Sequence, residues 1–160
     1  MDFFRYRARV LHCEDVPVAE LAAAYGTPLF VYSQATLLHH LGELQRAFAP
    51  ANPLICYSIK TNPNVHLAQL MGENGAGFDV TSGGELYRAL AAGGTGPKIV
   101  FAGVGKTDAE LRYGLESGVA LFNVESEAEL HALGDVAKAV GQSARWRCES
   151  IRICRRRRTP

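Results

Sequence analysis

Short apolar segments of strand length alternate with segments of helical spacing along most of this 160-residue chain. The strand candidates are 28–32, 54–60, 77–81, 98–102 and 120–124, and a helix candidate follows each of them. Units of about 20–25 residues repeating in this order are typical of a parallel sheet whose strands are joined by helical crossovers. The pattern therefore predicts an α/β fold with about five strand–helix units.

Several helix boundaries can be predicted from single residues. A helix over 18–25 is expected to end at Gly26, because glycine tolerates the backbone conformation that closes a helix. Ser33 is expected to cap the next helix, and the sequence Ser126–Glu129 fits the capping-box pattern at the start of the last one. Before the first helix, residues 8–16 predict a short extended segment.

The segment 54–64 carries the most informative side chain. Its strand candidate ends on Lys60, and the turn sequence Asn62-Pro63-Asn64 stops the strand. Side chains alternate along a strand, so Ser58 and Lys60 share one face. In parallel β/α proteins, catalytic and binding groups collect at the carboxyl ends of the strands. On position alone, Lys60 fits a functional amine and a surface lysine equally well.

Polar residues recur near the ends of two further strand candidates. Asp79 and Thr81 share one face of their strand, and Asn123 and Glu125 share one face of theirs. Together with the lysine strand, they indicate an edge of the sheet that faces a ligand. The alternative is that these residues lie close to loops and simply face water.

Composition excludes several classes of protein. Hydrophobic residues make up 48% of the chain, which is enough to build a core. No run of about 18 apolar residues is present to span a membrane, and the first residues lack the apolar region of a secretory signal. The four cysteines show no paired spacing, which favours a reducing compartment. We therefore expect a cytoplasmic protein without a membrane partner.

Charge divides the chain into two parts. Residues 1–145 hold 11 Lys and Arg against 15 Asp and Glu, a net charge of −4, whereas residues 146–160 hold six Arg against one Glu, a net charge of +5. We therefore predict a folded body over 1–145 and a basic, disordered tail over 146–160. The run Arg155–Arg158 is a candidate nucleic-acid or localisation patch.

A shifted reading frame offers another interpretation of the tail. Plausible codons for 146–154, read one base earlier, encode Val-Ala-Leu-Arg-Ile-Asn-Pro-Asp-Met, a strand followed by a turn. The tail would then be out of frame and without function, so no nucleic-acid partner is expected. An intact gene that encodes the tail in frame would contradict this interpretation.

Two glycine-containing segments imitate nucleotide-binding motifs without completing them. The segment Gly103–Thr107 would need a glycine where Val100 stands to form a phosphate loop, and 75–77 would need one where Val80 stands to form a dinucleotide fingerprint. The five histidines have no common spacing, so no metal site is expected.

Several segments taken together resemble a known family. These are 25–32, Tyr57-Ser58-Ile59-Lys60-Thr61-Asn62, 75–86, 98–107 and 122–126. They resemble the fold-type III family of pyridoxal-phosphate (PLP) decarboxylases, and within it the N-terminal part of the diaminopimelate decarboxylases. The resemblance covers about residues 6–144, and the frame-shifted segment is similar to the next strand of the family.

The resemblance implies a fold, a cofactor and a reaction. The fold would be an incomplete (β/α)8 barrel of TIM type, as in alanine racemase-like PLP barrels, within a family whose intact members form homodimers. Lys60 would carry PLP as an internal Schiff base, Asp79 would lie near the cofactor, and Glu85 would support that wall of the site. The reaction would be decarboxylation of meso-2,6-diaminopimelate to L-lysine.

Two alternatives remain open under this resemblance. The same family contains ornithine and arginine decarboxylases, and the residues that choose between these substrates lie outside the matched part. A non-catalytic PLP-binding or homeostasis protein is the other alternative. Because five strands cannot close an eight-strand barrel, we expect this chain by itself to be poorly soluble and inactive.

Overall fold

The computed structural model describes residues 2–149, which belong to two compact units divided between Pro53 and Leu54. The first unit contains a three-stranded antiparallel sheet in the order β1-β2-β3 and two helices. Its elements are β1 (Phe4–Arg7), β2 (Val10–Cys13), β3 (Val16–Pro17), α1 (Val18–Tyr25) and α2 (Gln34–Phe48), with a 3₁₀ turn at Ala49–Ala51.

The N-terminal hairpin corrects the prediction of one extended segment over 8–16. Arg7 is in register with Val10, so only Ala8 and Arg9 form the loop, with φ angles of 47° and 68°. Two-residue hairpin loops need this left-handed backbone so that the twist of the turn matches the twist of the strands. The predicted segment is therefore a tight turn and a second strand, and β1 precedes it.

Both helices of this unit have the ends that the sequence predicted. Gly26 follows α1 with φ 79°, and Ser33 Oγ accepts a hydrogen bond from the Thr36 backbone N–H at 3.0 Å. The Glu14 carboxylate also binds at the start of α2, where it accepts from the Ala35 N–H at 2.9 Å. That bond, followed by the one from the Ser33 hydroxyl, lowers the pKa of Glu14.

The predicted strand over 28–32 is wrong. These residues form no strand, and the side chains of Phe30 and Tyr32 are largely exposed. A segment with strand propensity becomes a strand only when a neighbour completes its hydrogen-bond ladder, and no strand among residues 2–149 pairs with it.

The second unit is a five-stranded parallel sheet with helical crossovers. The strands lie side by side in their order along the chain, as in a β/α barrel. Its elements are β4 (Cys56–Ser58), α3 (Val65–Glu73), β5 (Gly77–Val80), α4 (Gly83–Ala91), β6 (Ile99–Phe101), α5 (Asp108–Glu116), β7 (Leu121–Val124), α6 (Glu127–Val140) and β8 (Trp146–Cys148), with 3₁₀ turns at Ile59–Thr61 and Gly96–Lys98.

The hydrophobic core lies between the helices and one face of this sheet. Alternate strand residues enter it: Phe78, Val80, Ile99, Phe101, Phe122 and Val124 are all at most 2% exposed. The Phe101 and Phe122 rings stack with centroids 5.9 Å apart. Residues on the other face, which we call the inner face, include Ser58, Asp79, Val100 and Leu121, which share one register row.

The predicted fold class is therefore confirmed as α/β with an incomplete barrel, although its fifth strand is β8 and not the segment 28–32. The predicted boundary after residue 145 falls directly before β8. Residues 150–160, which contain the arginine run, lie outside the described residues, so the division between body and tail stays a prediction. Within 2–149, every helix is too short or too polar to cross a membrane.

Candidate functional site

Lys60 lies in the 3₁₀ turn Ile59–Thr61, directly after β4. The strand ends at Ser58, two residues earlier than predicted, so the lysine follows the strand instead of closing it. Ile59 is fully buried whereas Lys60 is exposed, and the turn is therefore anchored in the core beside a solvent-accessible amine. Within residues 2–149, no hydrogen bond or ion pair engages the Lys60 ammonium.

Two side chains close to Lys60 in sequence fix this turn. The Thr61 hydroxyl donates to the Ser58 carbonyl at 2.7 Å, and the Tyr57 hydroxyl donates to the Asn62 carbonyl at 3.0 Å. Both bonds satisfy carbonyl groups where the strand ladder stops. The position of the lysine backbone is thus determined by its immediate neighbours.

Asp79 stands on the adjacent strand, in register with Ser58. The Ser58 hydroxyl donates to Asp79 Oδ2 at 2.9 Å, so the two polar side chains meet on the inner face. Both residues are half-buried. Cys56 also lies near this carboxylate: burial, and then the negative charge of Asp79, raise the pKa of its thiol. The structure therefore brings a carboxylate to the strand that leads into the Lys60 turn.

Glu85, in the first turn of α4, holds the end of β5. Its Oε2 accepts from the Thr81 backbone N–H at 2.8 Å and from the Thr81 hydroxyl at 3.0 Å. Thr81 is two residues beyond Asp79, so Glu85 fixes the backbone that carries the aspartate. This arrangement agrees with a supporting role for Glu85, which stays a prediction.

Sequence reasoning missed Lys106, which the structure places in a buried ion pair. Its ammonium donates to the Gly103 carbonyl at 2.7 Å, to the Asn123 carbonyl at 2.7 Å and to Glu129 Oε1 at 2.6 Å. The lysine and glutamate side chains are 1% and 7% exposed. All three N–H groups are therefore used inside the protein.

Lys106 and Glu129 are 23 residues apart, which explains why no short motif reveals the pair. The predicted capping box at Ser126–Glu129 is half present. Ser126 Oγ accepts from the Glu129 N–H at 3.1 Å, but the Glu129 carboxylate binds Lys106 and not the Ser126 backbone. The complete capping box is instead formed by Thr107 and Glu110.

Two further carboxyl groups near the carboxyl ends of the strands have shifted pKa values. Hydrogen bonds from the Gly83 and Thr107 backbone N–H groups lower the pKa of Glu110, so this carboxylate ties the start of α4 to the start of α5. Burial, and then the neighbouring Glu149 charge, raise the pKa of Glu125. Two carboxyl groups whose pKa values are shifted in opposite directions therefore lie near this edge of the sheet.

The residues around Lys60 fit an aldehyde-bearing cofactor such as PLP. The site offers a primary amine that no other described residue engages and a carboxylate oriented by Ser58. The neighbouring inner-face side chains of β4 are the small residues Cys56 and Ser58, both half-buried, which leave space in front of the strand. Amine, carboxylate and open space are the features that such a cofactor requires.

Within the described residues, neither a metal site nor the cavity with the volume given below offers an alternative to the site at Lys60. Within 2–149, no three His, Cys, Asp or Glu side chains come together as metal ligands. A cavity of about 420 Å³ is lined by Pro97, Val119 and Ala144 at the opposite, amino ends of the strands. That cavity is therefore separate from the chemistry at Lys60.

Comparison with known proteins matches this part of the chain to one family. A family model described as "Pyridoxal-dependent decarboxylase, pyridoxal binding domain" matches residues 34–153. A diaminopimelate decarboxylase from Neisseria meningitidis serogroup B is 48% identical over 134 residues, which cover 84% of this chain and 32% of the relative. One from Vibrio cholerae is 47% identical over 145 residues, 90% of this chain and 35% of the relative.

Solved structures give the same result. A crystal structure of a protein from Aquifex aeolicus has a TM-score of 0.86 at 45% identity and covers 91% of this chain and 36% of its own. Diaminopimelate decarboxylase from M. jannaschii in complex with L-lysine has a TM-score of 0.86 at 31% identity, over 92% and 35%. The chain thus spans about a third of the length of the curated relatives that it matches.

Proposed function

The chain belongs to the family of pyridoxal-dependent decarboxylases, through their pyridoxal binding domain, and from this membership we propose that it is part of an enzyme that converts meso-2,6-diaminopimelate to L-lysine. Relatives named diaminopimelate decarboxylase, at 44–48% identity, support this substrate in preference to ornithine or arginine. An arginine decarboxylase structure is only 22% identical and bears on the fold alone.

The observation that carries the proposal is the exposed amine of Lys60 at the carboxyl end of β4, which has no partner among residues 2–149. The chain has three other lysines, and each is a poorer candidate. Lys106 is buried in its ion pair, and Lys138 is paired with Asp135 at 3.6 Å on the surface of α6. Lys98 precedes β6, at the amino end of the sheet.

Each proposed site residue has a separate task. Lys60 would hold PLP through its aldehyde, and the Ser58 hydroxyl orients the Asp79 carboxylate on the inner face. Glu85 holds Thr81 and thereby the end of β5. When bound, PLP supplies an electron sink for the charge that is left as CO2 departs. The protein residues select the bond that breaks by fixing the orientation of the bound amino acid.

Reductive trapping tests the assignment of Lys60. The purified chain is incubated with PLP, reduced with borohydride, digested and analysed by mass spectrometry for pyridoxyl-modified lysines. We expect the modification on Lys60, and at least tenfold less total modification in Lys60→Ala. Lys98→Ala is the matched control and should be modified to the wild-type extent, because that lysine lies at the other end of the sheet.

Equal modification of Lys60→Ala and the wild-type chain would contradict the proposal. Modification spread evenly over Lys60, Lys98 and Lys138 would contradict it too, since it would indicate surface reaction without a site.

The proposed partners follow from the same membership. The ligand is a small amino acid, in agreement with relatives solved in complex with L-lysine. We also propose a homodimer for the intact protein and the cytoplasm as its compartment. Cys13, Cys56 and Cys148 are free thiols, which is the state that a reducing compartment maintains.

A further inference from the structure

Asn123 lies on the inner face of the sheet, the face that carries Asp79. Its neighbours in β7, Phe122 and Val124, are both buried in the core against the helices. Because strand side chains alternate, Asn123 points to the opposite side. Leu121, which precedes it on this face, belongs to the same register row as Asp79 through Val100.

The side chain of Asn123 is buried, and its oxygen has no hydrogen-bond partner in the part of the chain that the structure describes. The residue is 8% exposed, and Oδ1 is the one buried side-chain nitrogen or oxygen atom among residues 2–149 that makes no hydrogen bond. Buried polar groups are nearly always paired, because leaving one unpaired costs free energy. An unpaired amide oxygen at this position therefore needs an explanation.

The backbone of Asn123 is held on two sides. Its carbonyl accepts from the Lys106 ammonium at 2.7 Å, and the residue is in register with Arg147 of β8. One buried hydrogen bond and the pairing with β8 therefore fix where the side chain starts. The amide oxygen is an acceptor held in place, and no donor within the described part of the chain reaches it, as expected for a group that contacts a ligand.

We propose that Asn123 is a further ligand-contacting residue of this site, whose Oδ1 accepts a hydrogen bond from an N–H or O–H group of a ligand bound on the inner face. The inference rests on the proposed function, which places PLP and an amino acid at that face. Both molecules carry suitable donors, the protonated ring nitrogen or the hydroxyl of PLP and the ammonium of the amino acid.

The test combines stability and binding in the same variants, Asn123→Leu and Asn123→Ala. If Oδ1 is unpaired until a ligand binds, Asn123→Leu should raise the urea concentration at the midpoint of unfolding of the ligand-free chain, because the unpaired group is removed. The matched control is Asn64→Ala: the Asn64 side chain caps α3 and accepts from the His66 N–H at 2.9 Å, so its loss should lower the midpoint.

Binding is measured by titration with PLP alone, and with L-lysine added to the PLP-loaded chain. We expect both Asn123 variants to weaken one of these two affinities at least fivefold relative to wild type. Weaker PLP binding would identify the cofactor as the donor, whereas unchanged PLP binding with weaker L-lysine binding would identify the amino acid.

Two results would overturn the inference: both affinities unchanged in the Asn123 variants, or an Asn123→Leu midpoint lowered as much as that of Asn64→Ala. A different result would contradict the proposed function: Lys60 of the wild-type chain would not be modified in the trapping experiment. In that case no ligand occupies the inner face, and the inference falls with it.

Discussion

The three hydrogen bonds of the Lys106 ammonium reach three separate parts of the chain: the loop after β6, the backbone of β7 and the first turn of α6. The segment Gly103–Thr107 looks like part of a phosphate loop, yet its lysine points into the protein and binds a carboxylate. Gly103 has φ 88°, and a Cβ there would lie 3.0 Å from Thr81 Cβ, so this loop also packs against the end of β5.

Removing the Lys106 charge should therefore be costly. We expect Lys106→Met to lower the free energy of unfolding by about 3–5 kcal/mol, because Glu129 would be left as a buried, unpaired charge. The double variant Lys106→Met/Glu129→Leu should be more stable than the single one. Urea denaturation measures both.

The matched control for this prediction is Lys138→Met. That lysine pairs with Asp135 at 3.6 Å, and both side chains are about 80% exposed, so the change should be less than about 0.5 kcal/mol. Equal losses in Lys106→Met and Lys138→Met would show that the buried pair contributes no more than a surface pair.

At the scale of elements, the helices of the second unit differ in how closely they approach the sheet. Gly114 lies in the last turn of α5, where a Cβ would be 2.8 Å from Phe122 Cζ and 3.1 Å from Phe101 Cδ1. These two stacked rings belong to the core and cannot move aside freely. Gly134, in α6, has no atom within 4 Å of its Cβ position.

The two glycines should respond to alanine in opposite directions. Gly114→Ala forces a methyl group into the stacked rings and should destabilise the chain by about 1–3 kcal/mol. Gly134→Ala should stabilise it by about 0.5–1 kcal/mol, because alanine is the better helix former. Thermal or urea unfolding of both variants provides the comparison. A stabilising Gly114→Ala would mean that α5 is free to move away from β6 and β7.

Whether an element could be predicted from the sequence depends on how far along the chain the residues that fix it lie. Helix boundaries such as Ser33 and Gly26 depend on residues within one turn, and the sequence predicted them correctly. The segment 28–32 was predicted as a strand but forms none, and β8 forms where the sequence predicted the tail to begin. Both differences arise because a strand needs a hydrogen-bonding neighbour that lies far away along the chain. The same reason applies to the site: Lys60 follows from a local motif, whereas the Lys106–Glu129 pair and the unpaired Asn123 oxygen appear only when the strands are aligned.

At the scale of the whole molecule, the described sheet of five strands is open at both edges, with β4 and β8 each paired on one side only. The Lys60 side chain is exposed, so water reaches its amine. Decarboxylation through a cofactor requires a site that excludes water and fixes the orientation of the substrate.

We therefore expect the 160-residue chain, assayed alone with PLP and meso-2,6-diaminopimelate, to form no detectable L-lysine. The measurement is amino-acid chromatography of the reaction over several hours, with a full-length relative as the positive control. Lysine formation that depends on Lys60 would contradict this expectation and would show that five strands suffice for catalysis.

The sequential order of the strands also has a consequence for how the chain acquires its structure. Each strand from β5 onward pairs with the strand that precedes it in the chain, across one intervening α-helix. Contacts of short sequence separation form quickly, because little loop-closure entropy opposes them. The second unit can therefore grow on the ribosome one strand and helix at a time, with each new repeat adding to a surface that the previous one has already made.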